Sequence, residues 1–155
     1  CGGTGLMLAV DCNGVFFPCL RYMGTSLGND QKPYAIGDLE HGINVLPEHR
    51  ARVAEMAAVT RRSQSTDECF NCPIASGCSW CSAYNYQCTG TPDKRVTYIC
   101  PMHKARVLAN AYYWNKLHRK QGERTRYRLD IPDAWALEII SDAELEMLKS
   151  LSKEG

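Results

Sequence analysis

Between residues 69 and 81 the chain reads CFNCPIASGCSWC, four cysteines spaced Cys-x2-Cys-x5-Cys-x2-Cys in thirteen residues. Around this run, residues 63–100 lack helical periodicity and are rich in Cys, Ser, Thr, Gly and Asn. A stretch of that length without regular structure needs a source of order other than an apolar core. Metal ligation supplies one, because thiolates held by a common metal fix the backbone where apolar side chains do not. The chain carries nine cysteines in all: Cys1, Cys12, Cys19, Cys69, Cys72, Cys78, Cys81, Cys88 and Cys100. A disulfide framework is the competing use. The odd count, the length of 155 residues and the lack of a visible secretory signal weigh against it.

The length suits one domain with a modest core. No apolar run reaches the length of a membrane span, so no membrane partner is expected. A cytoplasmic protein is the expectation. The chain begins at Cys1 rather than Met, as a processed product or an excised piece would. The net charge of +1 hides an asymmetry. Residues 101–128 carry eight cationic side chains (Lys104, Arg106, Lys116, Arg119, Lys120, Arg124, Arg126, Arg128) against Glu123 alone, whereas residues 129–155 carry seven acids against two lysines. A basic segment can meet nucleic acid. No aromatic-interleaved RNA-binding signature accompanies it, so pairing with the acidic tail is the expectation and a nucleic-acid partner is not.

The fold class expected is α+β, with an N-terminal β-hairpin, irregular Cys-rich loops and packed helices. Residues 6–10 and 15–17 are strand-like, Asn13-Gly14 is a strong hairpin-turn signal, and Pro18 ends the second strand. Residues 20–46 read as loop. A helix is expected from Pro47 over residues 47–62, burying Val53, Met56 and Ala57 on one face. A second is expected over residues 101–122, with Ala105, Leu108, Ala109 and Tyr112 on the buried face and Gly122 as the stop. Tyr113 and Trp114 read as packing residues, and His103 and His118 as surface or near-ligand residues. A last short helix starts at Ser141, whose pairing with Glu144 is a capping box, and docks through Leu145 and Leu148.

Zinc is the first metal to weigh. A zinc ribbon separates its two Cys-x2-Cys knuckles by roughly 15–20 residues, whereas five lie between Cys72 and Cys78. Iron–sulfur clusters take three closely spaced cysteines and a remote one, and Cys69, Cys72 and Cys78 with remote Cys100, followed by Pro101, fit that logic.

Taken together, Cys1-x12-Gly14-x4-Cys19, then Cys69-x2-Cys72-x5-Cys78-x2-Cys81, then Cys100 resembles the SPASM domain, the auxiliary-cluster domain of radical S-adenosylmethionine (SAM) enzymes that modify peptides and proteins. Seven of the nine cysteines and Gly14 fall on the pattern. The segment ICPMHKARVLANAYYWNKL further resembles the thioether-forming maturases of ribosomally made peptides. The resemblance implies a SPASM-like domain over residues 1–122 and a C-terminal extension over 123–155. It implies two [4Fe–4S] clusters, the second held by Cys69, Cys72, Cys78 and Cys100, the first by Cys1, Cys19 and Cys81, with Gly14 supporting the turn beside it. The Cys78–Cys81 gap is one residue shorter than the family's, which leaves Cys81 or Cys88 as the ligand from this loop. Cys12, Cys88, a cysteine upstream of this chain or substrate would complete the first cluster.

Each such cluster with four thiolates carries a net charge of about −2. The basic residues at 104–128 are expected to offset it, and Ser76, Ser79 or Thr89 to donate to its sulfurs. The Cys-x3-Cys-x2-Cys motif that binds the SAM-cleaving cluster is absent, so no catalytic residue and no SAM site are expected here. The partners implied are a radical SAM core domain and a precursor peptide. The alternative is a zinc-stabilised, non-enzymatic interaction module, possible nucleic-acid binding included; an isolated fragment of the iron–sulfur domain would also accept zinc as a substitute.

Overall fold

A computed structural model describes residues 6–75, 78, 81–122 and 131–152. Cys1, Ser76, Ser79, Glu123, Arg124, Arg126 and Arg128, all named above, lie outside the described residues. The architecture is α+β, a four-stranded antiparallel sheet near the N-terminus followed by helices. The chain divides into two units, one of Cys1–Phe70 with Trp80–Val96, the other of Asn71–Ser79 with Thr97–Gly155.

The first unit opens on the expected hairpin. Strands β1 (Ala9–Val10) and β2 (Val15–Phe17) pair Ala9 with Phe17 and Val10 with Phe16. The turn between them is held by Asp11 Oδ1, which accepts from the backbone N–H of Asn13 and of Val15, both at 2.9 Å. Gly14 stands at φ +78°, where L side chains are strained, and its missing Cβ would fall 2.6 Å from Leu39 Cδ1. β1 is shorter than expected. Pro18 lacks an N–H and closes β2 after Phe17, so residues 6–8 have no partner rung, and Leu6, Met7 and Leu8 are exposed.

Residues 20–46 are more ordered than a loop. They hold a 3-10 turn (Leu20–Tyr22), the short helix α1 (Gly24–Leu27), and strands β3 (Gly37–Asp38) and β4 (Gly42–Ile43), which extend the sheet in the order β1-β2-β3-β4. Two-residue strands built on Gly37 and Gly42 carry no alternating pattern, so periodicity cannot find them. Helix α2 (Pro47–Ala58) starts at Pro47 as expected but ends four residues early, at Ala58. Its inward stripe is His49, Val53 and Met56, while Ala57 faces out.

Residues 63–100 also hold more structure than expected, in α3 (Asp67–Phe70) and α4 (Ser82–Thr89). α4 buries Ser82, Ala83 and Asn85, a face of small and polar residues that no apolar template detects. The core of this unit gathers Ala9, Phe17, Cys19, Tyr22, Tyr34, Ile36, Met56 and Ala83, with Val53, Cys81 and Tyr86 packed against it.

In the second unit, α5 (Cys100–Lys120) carries Pro101 in its first turn and is followed by Gly122 at φ +69°. Its buried residues are His103, Leu108, Ala111 and Asn115. Ala105 and Ala109 are exposed, because the stripe runs along the face of Ala111 and Asn115 rather than theirs. Tyr112 packs inward as expected, but Tyr113 and Trp114 are exposed and meet edge-on at 5.3 Å. Leu108 joins Ala136 of α6 (Asp133–Ala136) and Leu145 and Leu148 of α7 (Asp142–Ser152) in a second core, flanked by Ile131, Trp135, Ile139 and Ile140. α5 therefore shares a unit with the residues that follow position 122.

The capping box of α7 is formed: Ser141 donates through its N–H and Oγ to Glu144 Oε2, at 2.9 and 2.8 Å. Those two bonds hold the Glu144 carboxyl below the usual carboxylate range. Ser141→Ala is expected to cost about 1 kcal/mol, read by denaturant unfolding. A lowered folded pKa stabilises above the ordinary carboxylate value and ceases to as pH falls through the folded one. The gap in stability between the native chain and Glu144→Gln should therefore close in acid.

Candidate metal centre

Cys12, Cys19, Cys69, Cys72 and Cys81 are in no disulfide. Cys12 is exposed in the β1–β2 turn, and Cys88 is exposed near the end of α4. Cys69, Cys72, Cys78, Cys81 and Cys100 are half-buried, and Cys19 is buried. Cys69 belongs to the first unit, on α3; Cys72, Cys78 and Cys100 belong to the second, Cys100 as the first residue of α5. Among the described residues, no three His, Cys, Asp or Glu side chains converge as a metal-holding group.

Two neighbourhoods in the first unit bear on metal binding. In one, Cys19 and Cys81 come to the same side chain. Cys19 precedes the 3-10 turn that carries Tyr22, whose N–H donates to the Cys19 carbonyl at 3.1 Å. Cys81 is the N-cap of α4, and both cysteines pack in the core around fully buried Tyr22. Burial pushes the Tyr22 phenol far above its ordinary range; a hydrogen bond with Ser82 opposes the rise, and the nearby sulfurs of Cys19 and Cys81 add to it. The Tyr22 ring lies 5.0 Å from Tyr34 and 5.9 Å from Tyr86, and its hydroxyl is 3.1 Å from Met56 Sδ. Of the cysteines assigned to the first cluster, two are thus brought to one apolar wall. It is Cys81 rather than Cys88 that packs against this core.

The second neighbourhood surrounds Cys69. Arg95 Nη1 donates to Cys69 Sγ at 3.4 Å, while Arg95 Nε and Nη2 are buried with no acceptor among the described residues. A neutral thiol is a weak acceptor, and a buried guanidinium short of partners is costly. These orphaned donors fit a negatively charged sulfur group at Cys69, which a metal-bound thiolate would be. Sequence reading missed Arg95, which stands in the charged triplet Asp93-Lys94-Arg95 and looks like a solvated turn.

Asn85 was missed too, and it builds this neighbourhood. Its Nδ2 donates to Gln64 Oε1 and to the Pro92 carbonyl, both at 3.1 Å, and its Oδ1 accepts from Val96 N–H at 3.2 Å. Gln64 in turn accepts from Arg95 N–H at 3.0 Å through its carbonyl. Buried amides thereby clamp residues 92–96 beside α4 (Asn) and residue 64 (Gln).

Lys104 of the basic segment is met by the acidic tail, whereas Lys116 donates to the Tyr112 hydroxyl at 2.8 Å and Arg119 donates to the Ser150 carbonyl. Lys104 pairs with Glu138 and lies 4.9 Å from the Trp135 ring centre. Thr89, expected as a donor to cluster sulfur, instead donates within its own turn to the carbonyls of Asn85 at 2.8 Å and Thr91 at 3.1 Å. No helix among the described residues is long and apolar enough to cross a membrane. Comparison with protein-family models, with curated proteins and with solved structures finds no match.

Proposed function

We propose that the chain is an auxiliary iron–sulfur domain of the SPASM kind, working beside the catalytic domain of a radical SAM peptide maturase. The observation that carries the reading is the ordered run of seven cysteines and Gly14, whose combined spacing is far more specific than any one Cys-x2-Cys pair. The meeting of Cys19 and Cys81 at Tyr22, and the orphaned donors of Arg95 at Cys69, support it. By the family resemblance, Cys69, Cys72, Cys78 and Cys100 would hold one cluster, and Cys1, Cys19 and Cys81 the other.

Bound [4Fe–4S] clusters supply one-electron exchange and, where an iron is left open, a seat for a substrate thiolate. The chain's own residues present the sulfurs and shape their surroundings. The apolar wall around Tyr22 buries Cys19 and half-buries Cys81, and Arg95 brings positive charge to Cys69. Thirteen residues contain ligands of both sets, so ordering one set orders part of the other. SAM cleavage belongs to a partner domain and a peptide is the substrate, with thioether formation as the modification.

Anaerobic reconstitution of the chain with excess iron and sulfide tests this. About eight irons and eight sulfides per chain are expected for two clusters. Fewer than about four irons would sink even one cluster. A colourless protein that binds only zinc under those conditions would favour the interaction module instead.

A further inference from the structure

Resting on the iron–sulfur reading, we propose that Arg95 is the positioning residue of the Cys69 sulfur: a half-buried cation that donates to Cys69 Sγ in its metal-bound form, keeps the metal in place and raises the reduction potential of that one cluster. Three observations carry this. Among the described residues the guanidinium makes a single side-chain bond, to Cys69 Sγ at 3.4 Å, and keeps two buried nitrogens without acceptors. Arginine stays protonated at any working pH, so the desolvated part of its charge is favoured by an anion nearby. The nearby arginines are placed differently. Arg62 is met by Asp67 at 2.7 Å, and Arg61 donates to the Phe70 carbonyl at 2.7 Å while both stack on the Phe70 ring, at 5.0 and 4.8 Å.

The second observation is that Arg95 is aimed by its backbone. Its own N–H is tied to Gln64, and the next N–H, of Val96, to Asn85 Oδ1. The third is that the cysteine is held as well. Cys69 N–H donates to Thr66 Oγ1 at 3.2 Å and Phe70 N–H to the Thr66 carbonyl at 2.8 Å, while Arg61 binds the carbonyl just beyond. Both ends of the contact are therefore built, not a chance meeting of two flexible side chains.

A positive charge and N–H donors at a ligand sulfur favour the more negative, reduced form of a cluster, so they raise its potential. The full chain, anaerobically reconstituted, is compared with Arg95→Gln and Arg95→Lys. The readouts are iron per chain, redox titration followed by electron paramagnetic resonance, and iron release to a chelator. Arg95→Gln is expected to shift one redox transition to more negative potential and leave the other in place. About half of its iron should be lost to the chelator roughly tenfold faster. Arg95→Lys keeps the charge but not the three-nitrogen fork, and should fall between the two.

Unchanged potentials and release rates in a fully loaded Arg95→Gln protein would overturn the proposal. Failure of the unsubstituted chain to bind iron overturns the iron–sulfur reading itself, a separate outcome. If Arg95→Gln does not fold, Arg95→Lys decides: behaviour identical to the native chain in both measurements overturns the proposal.

Discussion

Asn85→Ala is expected to destabilise the first unit by on the order of 3–5 kcal/mol. The substitution leaves Gln64 Oε1, the Pro92 carbonyl and the Val96 N–H without their partner in one step. Asn85 and Gln64 are both buried, so water does not replace the lost bonds cheaply. Each orphaned buried group costs about 1–3 kcal/mol, and the three share one site, so the sum is less than additive. Urea unfolding of the reduced, metal-free chain, followed by circular dichroism, reads the loss. Asn85→Asp separates the parts, since it still accepts from Val96 but donates to neither oxygen. A loss below about 1 kcal/mol for Asn85→Ala would show that the amide is not the clamp of residues 92–96.

Gly37→Ala should be comparably severe, at about 3 kcal/mol, for a steric reason. A Cβ at Gly37 would sit 2.4 Å from the Gly42 carbonyl oxygen and 2.8 Å from the Ile43 Cα. Both are backbone atoms of the paired strand β4, so no rotamer change relieves the clash. Gly37 also pairs with Phe16 on its other side, which leaves β3 no room to retreat. The contrast is Gly14, where the intruding methyl would meet the side chain of Leu39 rather than backbone, and a positive φ adds strain. Thermal unfolding of Gly37→Ala should show a clear fall in midpoint; an unchanged midpoint would mean that β3 and β4 separate freely.

What could be read from residues alone was whatever announces itself locally. Pro47, Pro101 and the Ser141–Glu144 pair mark helix starts, and Asn13-Gly14 marks a turn, because caps and turns act within a few residues. The apolar stripe of α7 was legible for the same reason, since Leu145 and Leu148 stand on one face. α4 was not, because its buried face is Ser82, Ala83 and Asn85, chosen by what lies across from it. β3 and β4 escaped because two-residue strands are defined by their partners. On the side of the candidate centre, it was the family resemblance that put Cys19 with Cys81, and both pack in the core around Tyr22. Arg95 could not be read, since a guanidinium becomes a sulfur donor only when distant Gln64 and Asn85 aim it.

α4 carries Cys81 as its N-cap and Asn85 one turn on, and Asn85 N–H donates to the Cys81 carbonyl at 2.9 Å. The helix is therefore a rigid lever with a sulfur at its tip and the clamp for Arg95 one turn down the shaft. Any tug on Cys81 would reach residues 92–96 through a single helical turn, and with them the guanidinium at Cys69. One residue, Asn85, thus ties the backbone at Cys81 to the backbone that carries Arg95.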